Sequence, residues 1–437
     1  MNYFFLPAKH EIDNNANVIA YYALLVYILS LFSEFIPVIT NIMMVCVVLI
    51  AIYNTRNGFL RGIRENKAIL GIVIFYLLQI CSVLLSNNMK DGFKTLSNTV
   101  PFLLFGFAFC FIGFPQKTWK RMLHFFALAT TAASVIGFLK SVSDVLRTHD
   151  TGYLYNDNLC FILGKQAVYF SLYVGIAIII FTYLLQQNEY SKKTKGWIYL
   201  AIAWLFVVIF LLASKAAMLG SIALLGVYVG SILIQRKKYM EISILLFGLI
   251  VGCILLVKIF PKTLNRFKGT TETHFRFDNT NAENHFNAEY DENKWTSSSM
   301  RAAIWTCAKE VWEEHPVFGT QLGDKNDALR KKYEEKHFWY AIAYNKNSHS
   351  QYLDILIGMG AVGLTVFLCC YFIYPLLIFL KQKRLFSILI YTLVGLCLVT
   401  ETMFARYQGI VLLALILPLA SKIAPSADSA IEEENQS

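Results

Sequence analysis

Three short runs of the 437-residue chain carry side chains suited to chemistry, and each stands at the edge of an apolar stretch. The first is Ser214-Lys215, wedged between two apolar runs in a connection too short to be a free loop. A lysine at a helix end can snorkel to the lipid headgroups at little cost. An ionisable residue at a membrane boundary is equally a candidate functional site. The second is Arg301, in Ser299-Met300-Arg301-Ala302-Ala303-Ile304-Trp305, opening a helical pattern that begins near Ser298. Positive charge in a first helical turn opposes the helix dipole, so an anion is expected beside it. Phosphate suits both the guanidinium fork and the helix amides, while a lipid headgroup, Glu289 or Glu292 would also serve. The third is His349, in Asn347-Ser348-His349-Ser350-Gln351-Tyr352-Leu353, where a long polar stretch returns to an apolar one. An imidazole titrating near about 6.5 can act as a base at neutral pH, or as a hydrogen-bonded boundary residue.

The elements that must position these groups are membrane helices. The chain is 56% hydrophobic and 16% charged, with a mean hydropathy of +0.50, too little polar surface for a soluble globule. Twelve segments can span a bilayer core of about 30 Å, near 18–35, 37–53, 68–86, 100–114, 122–145, 161–185, 197–213, 216–234, 242–260, 352–380, 385–401 and 409–422. Pro37 parts the first two and Ser214-Lys215 the seventh and eighth, so each pair is two helices or one broken helix. The nine cysteines fall mostly inside apolar runs and form no disulfide framework. Glu11 and Asp13 ahead of the first run argue against a cleavable signal peptide.

Charge placement orients the chain. Arg56, Arg61, Arg64 and Lys67, then Lys117, Lys120 and Arg121, then Lys192, Lys193 and Lys195, then Arg236, Lys237 and Lys238, then Lys381, Lys383 and Arg384 place sixteen cations in alternate short connections. Those between hold only Lys90, Lys94, Arg147, Lys215 and Arg406. The positive-inside rule then puts both termini in the cytoplasm and the long connection 261–351 outside. The net charge of +10 therefore reflects topology rather than nucleic-acid binding. The fold expected is all-α and polytopic, with domains at 1–260, 261–351 and 352–424 and a disordered tail at 425–437.

The long connection holds 13 Lys and Arg, 13 Asp and Glu, and His274, His285, His315, His337 and His349, five of the eight histidines. Ile304, Trp305, Ala308, Val311 and Trp312 describe an amphipathic helix from Ser298 to His315-Pro316, suited to lying on the membrane interface. A second helix is expected over 325–340 with Asp324 as its cap. No HxxxH, HExxH, DxD or CxxC pattern occurs outside, and no glycine-rich phosphate loop is present. A metal or nucleotide cofactor is thus not expected, and a reaction there needs a donor that is already activated.

Arg301-Ala-Ala-Ile-Trp305, His315-Pro316-Val-Phe-Gly319, His349-Ser-Gln-Tyr352-Leu353 and Gly360-Ala-Val-Gly363-Leu364, in that order, resemble the O-antigen ligase and polymerase superfamily of bacterial envelope polysaccharide enzymes. The superfamily pattern is Arg-x3-Trp, Pro-x2-Gly, and His-Asn-x-Tyr-Leu ahead of Gly-x2-Gly-Leu. Ser214-Lys215-Ala-Ala is similar to its Ser-Arg step, and Glu401, Arg406 and Gly409 to its late Glu...Gly segment. Two departures stand out: lysine replaces the arginine at Lys215, and serine replaces the asparagine at Ser350.

The resemblance implies a metal-independent glycosyltransferase of the bacterial inner membrane, acting at its periplasmic face. Its donor would be a polysaccharide on undecaprenyl diphosphate and its acceptor, for a ligase, the lipid A-core oligosaccharide. His349 would be the base, Arg301 and Lys215 the diphosphate ligands with Lys94 as a third cation, and Glu401, Arg406 and Tyr352 supporting residues. A single dominant outer loop favours a ligase over a polymerase, which uses the same donor. Transfer to a protein hydroxyl is a further variant. A twelve-span lipid or solute transporter is the rival from another class, but such transporters show repeated halves that are not visible here.

Overall fold

The computed structural model describes residues 12, 15–33, 37–56, 58–187, 190–235, 237, 239–260, 263, 273–284, 291 and 293–424. The chain opens with α1 (Asn15–Ser30), α2 (Pro37–Thr55), α3 (Phe59–Glu65), α4 (Lys67–Leu84), α5 (Met89–Phe111) and α6 (Gln116–Thr148). Next come α7 (Asn156–Cys160), α8 (Ala167–Gln186), α9 (Lys192–Leu212), α10 (Lys215–Gln235) and α11 (Tyr239–Ile259). The polar stretch contributes α12 (Ser297–Glu314), α13 (Lys325–Glu335) and α14 (Trp339–Ala343). The chain then returns through α15 (Gln351–Leu368), α16 (Tyr374–Lys381), α17 (Leu385–Thr400) and α18 (Tyr407–Ser421). No strand occurs among the described residues, only an isolated bridge between Glu283 and Trp295. Apolar runs this long have one way to satisfy their backbone groups in hydrocarbon, the helix.

Among the described residues eight helices are long and apolar enough to cross a membrane, so the chain is a helical membrane protein. Four shorter apolar helices, Asn15–Ser30, Ile250–Ile259, Leu385–Thr400 and Tyr407–Ser421, fall in the other expected segments. Several boundaries differ from expectation. α8 starts at Ala167 rather than near 161, because short turns fill 151–163 and Gly164 ends them with φ 65°. α9 and α10 are separate helices, parted by Ala213 in the left-handed region at φ 52°. All nine cysteines are free.

The helices form two compact units. The first comprises Met1–Phe126, Phe275–Thr280 and Met300–Ser437. Its centre is an aromatic cluster in which Phe102 lies 4.4 Å from Phe404 and Phe367 lies 4.9 Å from Tyr371, ring centre to ring centre. Tyr27 donates to the Val411 carbonyl at 2.9 Å, tying α1 to α18. The second unit comprises Ala127–His274 and Asn281–Ser299. α8 is its buried spine, with nearly every residue from Ala167 to Leu184 out of solvent, and Trp204 of α9 donates to Ser134 of α6 at 2.8 Å.

In the first unit two of the sequence motifs meet backbone to backbone. α15 is broken at Gly360, whose φ of 62° and ψ of −165° belong to a region only glycine tolerates. The loop after α12 inserts there: Ala361 N–H donates to Pro316 O at 2.9 Å, Val362 N–H to Val317 O at 3.1 Å, and Thr320 N–H to Ile357 O at 2.8 Å. A Cβ on Gly360 would stand 2.3 Å from Val317 O, and one on Gly319 would stand 2.5 Å from Ile357 O. The Pro-x2-Gly and Gly-x2-Gly elements are therefore halves of one clasp that fixes the loop to the helix. Gly360→Ala should cost at least about 1–3 kcal/mol from the dihedral alone, read as a lower melting temperature in detergent, while Gly226→Ala, which meets open space, should leave it unchanged. Equal melting of the two variants would contradict the clasp.

Asp324 does not cap α13 as the sequence suggests. It occupies the N-cap position without a side-chain cap bond, because its carboxylate accepts the N–H groups of Asn87 and Asn88 at 2.8 and 2.7 Å. Leu322 and Gly323 donate to the hydroxyls of Ser82 and Ser86 at 3.0 and 2.9 Å. This polar segment is thereby stitched to the α4–α5 turn. The expected helix over 325–340 is two helices, since His337 at φ 57° interrupts it. His285, Glu289, Glu292 and the tail at 425–437 lie outside the described residues.

Candidate functional site

The histidine motif is held by three neighbouring segments of the first unit. Ser350 sits at the N-cap of α15 and accepts from Leu353 N–H, which gives the departure from the superfamily's asparagine a physical reading: serine and asparagine are comparable N-caps. Ser348 is fully buried, donating to Ser350 O at 3.1 Å and lying 3.3 Å from the Thr402 hydroxyl. Trp305 of α12 donates its indole N–H to Ser348 O at 3.1 Å. Gln351 accepts from Phe404 N–H at 2.8 Å. His349 itself adopts φ 46°, and its N–H donates to Asn347 Oδ1 at 3.0 Å.

Arg301 lies one turn into α12 rather than in its first turn, since the helix begins at Ser297. Its Nε donates to Thr400 O at 3.3 Å, at the end of α17. Glu401 follows in extended conformation, φ −147°, between Thr400, which receives Arg301, and Thr402, which faces Ser348. The late Glu...Gly segment is thus held by both the arginine and histidine motifs. Tyr352 donates its hydroxyl to Gly395 O at 2.9 Å, a tie between α15 and α17.

The apolar stripe of α12 does not lie open for the membrane surface. Ala303, Ile304, Cys307, Ala308 and Val311 are buried within the protein, and Trp312, half-exposed, donates its indole N–H to Pro316 O at 3.0 Å.

Beside the motif is a cavity of about 500 Å³ in the first unit, lined by Lys94, Lys325, Arg330, Lys346, Arg406 and Asn347 among others. Lys94 is exposed on α5 and Arg406 is exposed ahead of α18. Lys325 and Asp354 form an ion pair with both side chains nearly buried. The cavity and the histidine share an electrostatic environment. Burial first, then Arg301, Lys346 and Arg406, push the His349 imidazole down from its ordinary 6.5 to about 3. It is neutral at physiological pH, with a nitrogen able to accept a proton.

Arg301, His349, Glu401, Tyr352 and Arg406 thus belong to one laced neighbourhood, with Lys94 on the adjoining cavity. Lys215 belongs to the second unit, where it opens α10 behind the buried Ser214 and donates to Ser297 Oγ at 3.3 Å. Among the described residues no group of three His, Cys, Asp or Glu side chains is placed to hold a metal ion. Sequence reasoning missed Lys346, three residues before the histidine, and the Lys325–Asp354 pair. Asp354 offered a signal, being a carboxylate one residue past the Tyr-Leu of the motif at the start of an apolar helix.

A helical membrane protein with a basic, polar site beside a neutral histidine is the class that fold and site define. Residues 200–368 match the family described as O-antigen ligase, so this part of the chain is similar to the O-antigen ligase and polymerase superfamily. No curated protein matches the chain. The matched range contains the Ser214-Lys215, Arg301, Pro316-Gly319, His349 and Gly360 elements. It ends before Glu401 and Arg406.

Proposed function

We propose that the protein is an O-antigen ligase: it transfers a polysaccharide from undecaprenyl diphosphate to the lipid A-core oligosaccharide at the periplasmic face of the inner membrane. In this reading the chain crosses twelve times, both termini are cytoplasmic and 261–351 is the periplasmic domain. The observation that carries it is the lacing of Arg301, His349 and Glu401 through Thr400, Ser348 and Thr402, which puts an anion ligand and a neutral base in one neighbourhood.

His349 takes the proton from the acceptor hydroxyl, whose oxygen attacks the anomeric carbon of the donor. The bond to undecaprenyl diphosphate breaks with its electron pair leaving on the diphosphate oxygen, and the anomeric configuration inverts. Arg301 and Lys215 stabilise the charge developing on that oxygen, with Lys94 as third cation. Polymerisation, joining one lipid-linked unit to another, is the second reading. It uses the same donor chemistry, and the single large polar stretch favours the ligase.

Purified protein given lipid-linked donor and lipid A-core should yield a ladder of glycosylated acceptor, and the ladder should survive excess EDTA, because cations of the chain stand in for the divalent ion. Product only between two donor molecules would establish the polymerase. Loss of turnover on chelation, restored by Mg²⁺ or Mn²⁺, would overturn the metal-independent reading, and substrate movement without any new glycosidic bond would establish a transporter.

A further inference from the structure

We propose that a groove of about 790 Å³ in the first unit binds one anionic phospholipid, a lipid that is neither donor nor acceptor of the transfer. Its walls are α3, the first half of α4, and the turn Cys369–Ile373 with the start of α16. That turn is π-helical, a widening that interrupts helices frequently at functional sites. Gly71 brings α4 against it, since a Cβ there would stand 2.5 Å from Cys370 O, so backbone rather than side chain closes the groove at that level. Leu70, Ile74, Ile373 and Leu377 form the apolar flanks, the last three of them half-exposed.

Charge sits at one end of it. Arg64, in the last turn of α3, and Lys67, the first residue of α4, are both exposed and are the only charged lining residues among those described. The carboxylate between them in sequence, Glu65, is committed to Arg61 at 2.7 Å. From Lys67 to Ile74 α4 rises about 10 Å, less than the roughly 15 Å of hydrocarbon in one leaflet, so the groove leads from two cations down into the apolar layer. A phosphate carrying a fatty chain matches both ends at once. Tyr374 also lines the groove and brings a hydroxyl suited to the interfacial level, where tyrosine is enriched. The 18 residues of α15, about 27 Å of helix, lie between the histidine motif and the π-helical turn. A phosphate held by Arg64 and Lys67 is therefore remote from the reacting bond. On the topology proposed above, the cationic end belongs to the cytoplasmic leaflet.

Detergent-solubilised full-length protein is mixed with equal amounts of palmitoyl-oleoyl phosphatidylglycerol and phosphatidylethanolamine, which share their chains, and the lipid retained is read by native mass spectrometry. Wild type should retain one phosphatidylglycerol with at least about tenfold preference, as two charge-assisted contacts predict. Arg64→Gln combined with Lys67→Gln should erase the preference and leave phosphatidylethanolamine retention as it was. Lys192→Gln combined with Lys193→Gln, which removes two exposed cations of the second unit, should change nothing. Ile74→Trp fills the groove with an apolar side chain and should lower retention of both lipids by about tenfold, whereas Leu200→Trp, at an exposed position of α9, should not. Equal retention of the two lipids by wild type, the same loss of preference in the Lys192 and Lys193 variant, or unchanged retention in Ile74→Trp would overturn the site. A retained mass matching a polyprenyl diphosphate, released by Ile74→Trp, would give the groove to the donor and overturn it as well. Retention depends on neither turnover nor orientation, so the lipid site stands or falls apart from the ligase reading.

Discussion

His349→Ala is expected to abolish glycosyl transfer while leaving the protein folded. A positioned general base contributes about 10²–10⁴-fold, and nothing else in the motif can replace it. Ser348 is committed to Ser350 O and the Trp305 indole, and Asn347 to the His349 backbone. Those same bonds are made by neighbouring side chains and by backbone, so truncating the imidazole leaves the lacing intact. Yield and melting temperature should therefore match wild type, and a variant retaining more than about a tenth of the wild-type rate would remove the assignment. The pH profile gives a second reading. In the free protein burial, together with Arg301, Lys346 and Arg406, holds the imidazole near 3, so protonation removes the base only well below neutrality. A bound diphosphate offsets those cations, favours the imidazolium and raises the pKa. The acid limb of kcat should accordingly lie at higher pH than that of kcat/KM for the donor, because the first reports the complex and the second the free enzyme. Coincident limbs would show that the diphosphate does not bind within reach of the histidine.

The helices were legible because an apolar run long enough to span a bilayer has no alternative structure. The break between α9 and α10 was marked by a single charged residue inside such a run. What periodicity could not show is how short polar segments pack, since their bonds depend on partners remote in sequence. Asp324 reads as a cap by its position, yet two backbone N–H groups some 236 residues away claim its carboxylate. Gly319 and Gly360 read as separate motif glycines, although each exists to let the other's backbone approach. The apolar stripe of α12 suggested an exposed amphipathic face, yet Ile304, Ala308 and Val311 are buried within the protein, because periodicity does not say what covers an apolar face. Candidate site residues were found by type and by resemblance, whereas Lys346 and Arg330 escaped because a surface lysine and arginine carry no sequence mark until a cavity gathers them.

Arg301→Ala and Lys215→Ala are each expected to lose on the order of 10²-fold or more in transfer, as for deletion of a group that stabilises transition-state charge. The two cations differ in what they tolerate. Lys215 supplies a point charge from the first turn of α10, anchored on Ser297, and arginine there restores the superfamily's residue, so Lys215→Arg should remain active. Arg301 uses one face of its guanidinium on Thr400 O, and lysine cannot hold that carbonyl and a phosphate oxygen in the same planar fork. Arg301→Lys should thus behave like the alanine variant. A merely structural Arg301 would also reduce the rate, by releasing the 400–404 segment from α12. Inhibition by inorganic diphosphate distinguishes the two roles. If Arg301 binds the leaving group, diphosphate should compete with donor in the wild type and weaken as an inhibitor by about the factor lost in donor affinity in each alanine variant. If it only tethers Thr400, the rate falls while inhibition by diphosphate stays as in wild type, and the leaving-group role must be given to other cations.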